Sequence, residues 1–178
     1  MKAAPNPAGW SWKQRAFLLC SRICVAGYRL LPLFGRLRSS AGVLWRDGRL
    51  LMIERSDRLG LGLPGGLAMP WESDEAALRR EFTEETGLTV ARSRLLFRYN
   101  DEAHVPSLIS VYWIEAEGTP RPSWEGIPVW VAPEQLFSRI FACHAHAVAR
   151  LQADGLLSSH AVDAQPPATE SPREGPLF

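Results

Sequence analysis

The chain has 178 residues, of which 46% are hydrophobic and 22% are charged, a composition suited to one ordinary globular domain with a buried core. Its formal net charge of +1 argues against wholesale binding of extended nucleic acid. The three cysteines form neither an even disulfide framework nor a paired zinc-ligand spacing, which argues against a disulfide-stapled secreted domain and favours a reduced, cytoplasmic location.

The first 38 residues differ in charge from the rest of the chain. They contain seven Lys or Arg and no acid, which leaves a formal charge of −6 for the remainder. Residues 11–31 suit an amphipathic helix, which Pro32 should end before a linker that runs to Ser40. Arg22 interrupts the apolar stretch that a secretory signal requires, and each Arg in that window would cost about 3 kcal/mol at the centre of a membrane span. We therefore predict a separate N-terminal region, residues 1–38, ahead of a main domain at residues 39–158.

The apolar side of this predicted helix needs a partner. Arg15, Arg22 and Arg29 recur every seven positions and form a basic stripe beside aliphatic and aromatic residues. Two partners are open: protein, either the main domain or a mate in a homodimer, and the headgroups of an anionic membrane. We favour protein, because the arginines of a docked helix commonly extend outward to solvent.

The predicted strands begin after this region. Two apolar-rich runs, residues 41–46 and 49–54, flank Asp47-Gly48, a dipeptide typical of two-residue hairpins. Residues 59–67 are rich in glycine and predict a short strand that turns sharply at Pro64-Gly65-Gly66. Alternating or continuous apolar patterns predict three more strands, at residues 95–99, 107–115 and 127–131.

Two helices are predicted among these strands. Residues 74–86 follow Ser73, a residue type favoured as an N-cap, and Gly87 is placed to end the helix in a left-handed conformation. A second helix should run from Pro133 to Gly155, with an apolar stripe at Phe137, Ile140, Phe141, Val148 and Leu151. After it, residues 159–178 are rich in Pro, Ser, Ala and Glu, a composition that predicts a disordered tail.

The first of these helices carries the most informative residues. Positions three and four apart share a helix face, so Glu84 and Glu85 both come close to Glu81. Like charges repel, and an uncompensated acidic trio is explained more easily by a bound divalent cation with hard oxygen ligands than by a solvated face. Gly66 permits a close backbone approach, and Glu72 can pair with Arg80 to fix the loop before the helix. The alternative is a well-capped charged helix that binds no metal.

The stretch from Gly66 to Leu88 resembles the Nudix box in every fixed position. The family pattern is Gly, five residues, Glu, seven residues, Arg-Glu, a bulky apolar residue, any residue, Glu-Glu, any residue, Gly and a bulky apolar residue. This chain supplies Gly66, Glu72, Arg80, Glu81, Phe82, Glu84, Glu85, Gly87 and Leu88. The resemblance covers about residues 40–152.

The resemblance implies both a fold and a chemistry. The fold is an α/β/α sandwich around a mixed β-sheet, to which the N-terminal helix is an addition. The metal ligands for Mg²⁺ or Mn²⁺ would be Glu81, Glu84 and Glu85 with the Gly66 carbonyl, and Arg80 and Glu72 would support them. The reaction would be hydrolysis of the diphosphate bond of a nucleoside diphosphate linked to another moiety, or of a related nucleotide, because the metal neutralises the anionic substrate and activates water.

The box does not fix the acid that activates the water. The candidates are Glu81, Glu125, Glu102 and Asp101, and Glu125 is preferred among those outside the box, against the alternative of an ordinary loop acid. His144 is interpreted as a hydrogen-bonded core histidine. Five aromatic residues could stack a nucleobase or simply fill the core: Tyr99, Tyr112, Trp113, Trp124 and Trp130.

The sequence does not identify the substrate. In the family, a Trp usually lies two residues before the proline that precedes the box. That proline is Pro64 in this chain, and the position of the Trp is occupied by Gly62. We also keep two other functional classes open, a Nudix-fold module that binds a nucleotide without turnover and a peripheral membrane protein that acts through its N-terminal helix. The glutamate trio favours the enzyme, because a site without metal would have no physical reason to retain acids that repel one another.

Overall fold

The structure is a computed structural model that describes residues 27, 36–103, 105–136 and 139–157. Apart from Gly27, the predicted N-terminal helix lies outside these residues, and so does the predicted tail. Both therefore remain predictions. The described residues form eight strands and two α-helices, with these bounds: β1 (Leu37–Val43), β2 (Trp45–Arg46), β3 (Arg49–Arg55), β4 (Leu61–Gly62), β5 (Gly65–Leu67), α1 (Asp74–Thr86), β6 (Thr89–Asp101), β7 (Ser107–Glu117), β8 (Gly126–Val131) and α2 (Ala142–Ala153).

The strands form two sheets. The first has the order β5-β1-β7-β6, in which β1 runs parallel to β7 and the other pairs are antiparallel, so this sheet is mixed. The second sheet is antiparallel and is built on β3, which pairs with β8 along one edge and with the short strands β2 and β4 along the other. The register of β3 with β8 places Arg55 opposite Gly126, the residue after Glu125.

Two hydrophobic cores lie on opposite faces of the strands. One contains Leu78 and Phe82 of α1 together with Leu51 of β3, and the other contains Val148 and Leu151 of α2 together with Met52 of β3. Since successive residues of a strand point to opposite faces, Leu51 and Met52 separate the two cores. This arrangement confirms the predicted α/β/α sandwich around a mixed sheet.

The helix α1 has the bounds that the sequence predicts. Ser73 Oγ accepts a hydrogen bond from the Ala76 amide at 3.1 Å, and Gly87 ends the helix at φ 73°. Close packing on β1 requires Gly42, because a Cβ there would lie 2.7 Å from Ile114 Cδ1 and 2.8 Å from Phe82 Cδ2. The local signals and the absence of a side chain at position 42 thus place the acidic helix against the mixed sheet.

The turn between β2 and β3 also follows the prediction, since Asp47 and Gly48 both have positive φ and connect paired residues Arg46 and Arg49. Several element predictions were wrong in extent. The strand predicted at residues 95–99 is part of the longer β6, and the run predicted at residues 41–46 is divided between β1 and β2. Residues 37–40, assigned to a linker, belong to β1, and residues 59–67 form two short strands separated by Leu63 and Pro64. The single helix predicted from Pro133 to Gly155 is a 3₁₀ turn, Pro133–Gln135, followed by the separate helix α2.

The cause of the break in that helix is pairing with β4. The Leu61 amide donates to the Arg139 carbonyl at 2.6 Å, and the Phe141 amide donates to the Leu61 carbonyl at 2.8 Å. Residues 139–141 are therefore extended beside β4 and cannot also form helical hydrogen bonds. The apolar pattern identified the buried side chains Phe141, Val148 and Leu151 but not their backbone conformation.

Candidate active site

Arg80 organises the acidic residues at the start of the site. Its guanidinium donates to both carboxylate oxygens of Glu72 at 2.9 Å and to Glu81 Oε1 at 2.7 Å. It also donates to the Leu67 carbonyl at 3.1 Å, so one side chain on α1 fixes the loop between β5 and the helix. These bonds lower the pKa of Glu72 to about 2, chiefly through the hydrogen bond from Arg80. The predicted Glu72–Arg80 pair is present.

Gly66 makes room for the Glu81 carboxylate. A Cβ at Gly66 would lie 2.6 Å from Glu81 Cδ and less than 3 Å from both carboxylate oxygens. The Gly66 carbonyl accepts a hydrogen bond from Ser39 Oγ at 2.9 Å. The absence of a side chain at Gly66 therefore leaves the space that the Glu81 carboxylate occupies. The role of the Gly66 carbonyl as a metal ligand remains a prediction.

Glu85 is the most deeply buried acid of the site. Its side chain lies almost wholly inside the domain and accepts a hydrogen bond from the Gly65 amide at 2.8 Å. Burial, together with the neighbouring carboxylates Glu125 and Glu81, raises the pKa of Glu85 well above its usual value. The pKa of Glu81 is also raised, mainly by burial, although Arg80 opposes the shift. The structure thus brings together three acids from two distant parts of the chain.

The loop that carries Glu125 is held by backbone contacts. The Ser56 amide donates to the Glu125 carbonyl at 2.8 Å, and Ser56 Oγ donates to the Trp124 carbonyl at 3.2 Å. The Ser123 amide donates to the Gly126 carbonyl at 2.9 Å and closes the turn. Gly126 permits the close pairing, since a Cβ there would lie 2.5 Å from the Glu54 carbonyl oxygen. These contacts fix the position of Glu125 beside Glu85.

The other predicted acids occupy different surroundings. Glu84 is 56% exposed and lies 3.6 Å from Arg80 Nη1. Glu102 is paired with Arg36 at 2.8 Å, and Asp101 is buried at the end of β6, where it accepts from the Ala103 amide. Glu125, unlike Glu102 and Asp101, is one of the acids that raise the pKa of Glu85.

The residues fit a hard divalent cation in their chemistry. Glu81, Glu85 and Glu125 offer carboxylate oxygens in a partly desolvated place, and their mutual repulsion would be relieved by a cation. Among residues 36–103, 105–136 and 139–157, no three His, Cys, Asp or Glu side chains form a group that could hold a metal ion in their present positions. In this arrangement Glu81 is bonded to Arg80 and Glu85 to the Gly65 amide.

Gly62 has neighbours that the sequence did not reveal. A Cβ there would lie 3.4 Å from His144 Nδ1 and 3.6 Å from Arg55 Cδ, so these side chains lie close to the place where the family usually has a Trp. Arg55 stacks on Phe141 at 4.4 Å and pairs with Asp57, whereas His144 Nδ1 accepts from the Leu63 amide at 2.9 Å. The hydrogen bond agrees with the interpretation of His144 as a structural residue.

The five candidate aromatic residues divide by exposure. Tyr99 and Tyr112 are buried, and Trp113 and Trp130 are partly buried against the cores. Trp124 is 53% exposed and directly precedes Glu125. The two tyrosines are too buried to offer an open surface on which a nucleobase could stack. Trp124 is the member of the set that is both exposed and adjacent to a site acid.

A second arginine clamp, which sequence reasoning missed, holds the start of α1. Arg38 on β1 donates through Nε to Asp74 Oδ1 at 2.8 Å and through Nη2 to the Glu72 carbonyl. Asp74 also accepts from Ser110 Oγ at 2.7 Å. No local signal could have paired residues 36 positions apart. The clamp connects the acidic helix to β1 and β7.

Three comparisons relate the chain to known proteins. Residues 36–151 match the family model of the NUDIX domain. The chain is 34% identical over 109 residues to a MutT-like protein of Streptomyces ambofaciens, which covers 60% of this chain and 71% of that protein. Among solved structures, a MutT NUDIX hydrolase from Burkholderia pseudomallei superposes with a TM-score of 0.60 at 25% identity, over 65% of this chain and 98% of that one. A MutT protein from Methanosarcina mazei Go1 gives 0.60 at 23% identity, over 68% and 96%.

In the part of the chain that the structure describes, neither helix has the length and apolar character needed to cross a membrane.

Proposed function

This chain belongs to the Nudix hydrolase family, and on that premise we propose that it hydrolyses the diphosphate bond of a nucleoside diphosphate linked to another moiety, or of a related nucleotide. The observation that carries the proposal is the convergence of Glu81, Glu85 and Glu125 at one partly buried place. Two of these acids come from α1 and one from the loop before β8. A fold has to hold such mutually repelling groups together against an electrostatic cost, which is expected where a cationic cofactor compensates them.

We assign the metal site to Glu81, Glu84 and Glu85, with the Gly66 carbonyl as a further ligand, and we add Glu125 as their neighbour. Members of the family generally use divalent cations, and we propose Mg²⁺ or Mn²⁺ here. When bound, such a cation would neutralise the diphosphate and lower the pKa of a coordinated water.

The chain's own residues prepare this site. Arg80 holds Glu81 and Glu72 in place, and the Gly65 amide orients the Glu85 carboxylate. Glu125 lies beside Glu85, the most deeply buried acid of the site, so its carboxylate is placed to accept a proton from a water that attacks a substrate held there. We propose Glu125 as the leading candidate for the general base and Glu81 as the alternative within the box.

The substrate is proposed only as a class. Trp124, exposed and next to Glu125, is suited to stack on a flat ring such as a nucleobase. The small-molecule substrate, a cytoplasmic location and a homodimer remain proposals that rest on the sequence. The division into an N-terminal region of residues 1–38, a domain of residues 39–158 and a tail of residues 159–178 is also proposed.

The decisive experiment is a screen of the full chain against a panel of nucleoside triphosphates and nucleoside diphosphates linked to sugars, nucleosides or coenzymes, with Mg²⁺ and with Mn²⁺. We expect metal-dependent release of phosphate or of a nucleoside monophosphate, abolished by EDTA. Glu81→Gln and Glu85→Gln should each lower turnover by orders of magnitude, since the substitution keeps the volume and removes a charged ligand.

The matched control is Glu117→Gln, an exposed acid at the end of β7, which should leave turnover unchanged. Wild-type turnover from Glu81→Gln and Glu85→Gln would remove these residues from the site. If the folded wild-type chain turned over nothing in the panel while binding a nucleotide in equilibrium dialysis, a binding module without catalysis would replace the enzyme.

A further inference from the structure

A short loop beside the candidate site displays large apolar side chains to solvent. Between β5 and α1, Leu67 is 51% exposed, Met69 is 46% exposed and Trp71 is 82% exposed. We call residues 67–71 the apolar loop. Most of the other large hydrophobic side chains of the domain are buried in the two cores, so three exposed ones within five residues form a concentrated apolar feature.

The apolar loop is held in one conformation by its polar neighbours. Arg80 donates to the Leu67 carbonyl at 3.1 Å, and the Met69 amide donates to Glu72 Oε2 at 3.0 Å. The Glu72 amide donates to the Met69 carbonyl at 3.0 Å and closes a turn around Trp71. A loop fixed in this way cannot fold its apolar side chains back into the domain, so they remain available to a partner.

The loop lies where the preceding chain enters the domain. The Ala68 amide donates to the Arg38 carbonyl at 2.9 Å, and β1 begins at Leu37. Six residues, 32–37, separate this point from the end of residues 11–31, which we call the N-terminal segment. Fully extended, six residues span about 20 Å. The N-terminal segment is therefore tethered within reach of the apolar loop.

The charges on the two sides are complementary. Residues 67–86 contain six acids and two arginines, and Arg38 and Arg98 both pair with Asp74, which leaves an excess of two acids, whereas residues 1–35 contain five basic residues and no acid. The segment also carries the aliphatic and aromatic residues that require a partner, among them Phe17, Leu18 and Leu30. An anionic membrane offers the same apolar contact but would repel the acids around the loop, so the charge pattern favours a basic partner.

We propose that the N-terminal segment docks in cis on the apolar loop and covers Leu67, Met69 and Trp71. The short tether gives the segment a local concentration of the order of millimolar, which favours docking within one chain over pairing between chains at micromolar protein. Docking brings a basic segment next to Glu72 and the start of the acidic helix. This proposal concerns a surface outside the carboxylate cluster and does not depend on the proposed function.

The test uses two native cysteines of the N-terminal segment, Cys20 and Cys24, in the full chain. Met69→Cys places a thiol in the apolar loop, and mild oxidation should form an intramolecular disulfide with Cys20 or Cys24. The matched control is Glu117→Cys. Residue 117 lies ten residues along β7 from Ser107, which pairs with Leu37 at the start of β1. The control thiol is therefore about 33 Å from the point where the preceding chain enters the domain. Cys143 is buried and serves as an internal thiol that should not react.

We expect the disulfide to form at least about tenfold faster in Met69→Cys than in Glu117→Cys, with the chain remaining monomeric on a non-reducing gel. Peptide mapping should identify the bond, and replacing Cys20 and Cys24 by Ser should abolish it. Equal rates in the two variants would overturn the proposal, and disulfide-linked dimers at micromolar protein would assign the loop to a second copy instead.

A second measurement addresses the lipid alternative without oxidation. Wild-type chain and Trp71→Ser are sedimented with vesicles containing phosphatidylglycerol, and their thermal unfolding is compared without vesicles. Docking in cis predicts that Trp71→Ser lowers the Tm and does not reduce vesicle binding, because a released basic segment is free to bind anionic lipid. Wild-type Tm combined with a loss of vesicle binding would assign the apolar loop to the membrane and overturn docking.

Discussion

Substituting Gly66 by Ala tests whether the Glu81 carboxylate depends on the absence of a side chain beside it. The φ of Gly66 does not lie in the left-handed region, so the backbone accepts Ala without strain. The added methyl would lie 2.6 Å from Glu81 Cδ, whereas ordinary contacts begin at 3.4 Å, so the carboxylate must move by about 0.8 Å. A displacement of about 1 Å at a catalytic group can cost on the order of 100-fold in rate, and we expect Gly66→Ala to lose activity on that scale.

The fold should survive this change, because Gly→Ala at a compatible φ stabilises a protein by about 0.4–1 kcal/mol through the unfolded chain and offsets part of the steric cost. The assay is kcat/KM on the substrate found in the panel, together with the Tm and the affinity for Mn²⁺ by calorimetry. In a Glu81→Gln background the additional cost of Gly66→Ala should shrink well below 100-fold, since both changes act on one group. Equal costs in the two backgrounds, or activity within about twofold of wild type, would refute the reasoning.

Three other predictions concern the stability of the protein and its binding of substrate. Because the folded pKa of Glu85 is raised, the folded chain binds its proton more tightly than the unfolded chain, so without metal the Tm should fall as the pH rises above about 4.5, the usual pKa of a glutamate. Glu85→Gln should flatten that pH dependence and raise the Tm at pH values where Glu85 is ionised, and an unchanged profile in differential scanning calorimetry would contradict it. Gly42→Ala, which meets Phe82 and Ile114, should destabilise the fold by about 1–3 kcal/mol in urea titration, and wild-type stability would show that α1 can shift freely. Gly62→Trp should displace Arg55 and change KM more than Gly62→Ala, whose methyl makes only ordinary contacts; equal KM values would separate this position from substrate binding.

Acids with raised pKa values and acids with lowered pKa values affect stability in different pH ranges. The pKa of Glu81 is raised, like that of Glu85, so ionisation of Glu81 also lowers the Tm as the pH rises. The pKa values of Glu72, Asp74 and Glu75 are lowered instead, by hydrogen bonds and ion pairs that outweigh the burial cost at Asp74, so their stabilising effect is lost only as the pH falls below about 4.5. The two groups of acids therefore act in different pH windows, and the fall in Tm above about pH 4.5 reports on the buried carboxylates.

Local chemistry allowed the sequence to predict α1 and its acids. Ser73 and Gly87 set the ends of the helix, because a hydroxyl can accept an orphan amide and a glycine can adopt positive φ, and neither effect requires distant contacts. The spacing of Glu81, Glu84 and Glu85 on the helix follows from its period. The pairing of Arg80 with Glu72 was also predictable, since both residues belong to one loop and helix.

Only the tertiary structure decided how residues distant in sequence meet. Glu125 reaches Glu85 because β8 pairs with β3 along its whole length, and Arg38 reaches Asp74 because β1 lies beneath the helix. The helix predicted from Pro133 was broken for the same reason, since residues 139–141 found backbone partners on β4. Periodicity records which side chains are buried, whereas backbone hydrogen bonds to a distant strand are absent from any local pattern. The sequence by itself therefore determined the acidic helix, and strand pairing determined which other groups stand beside it.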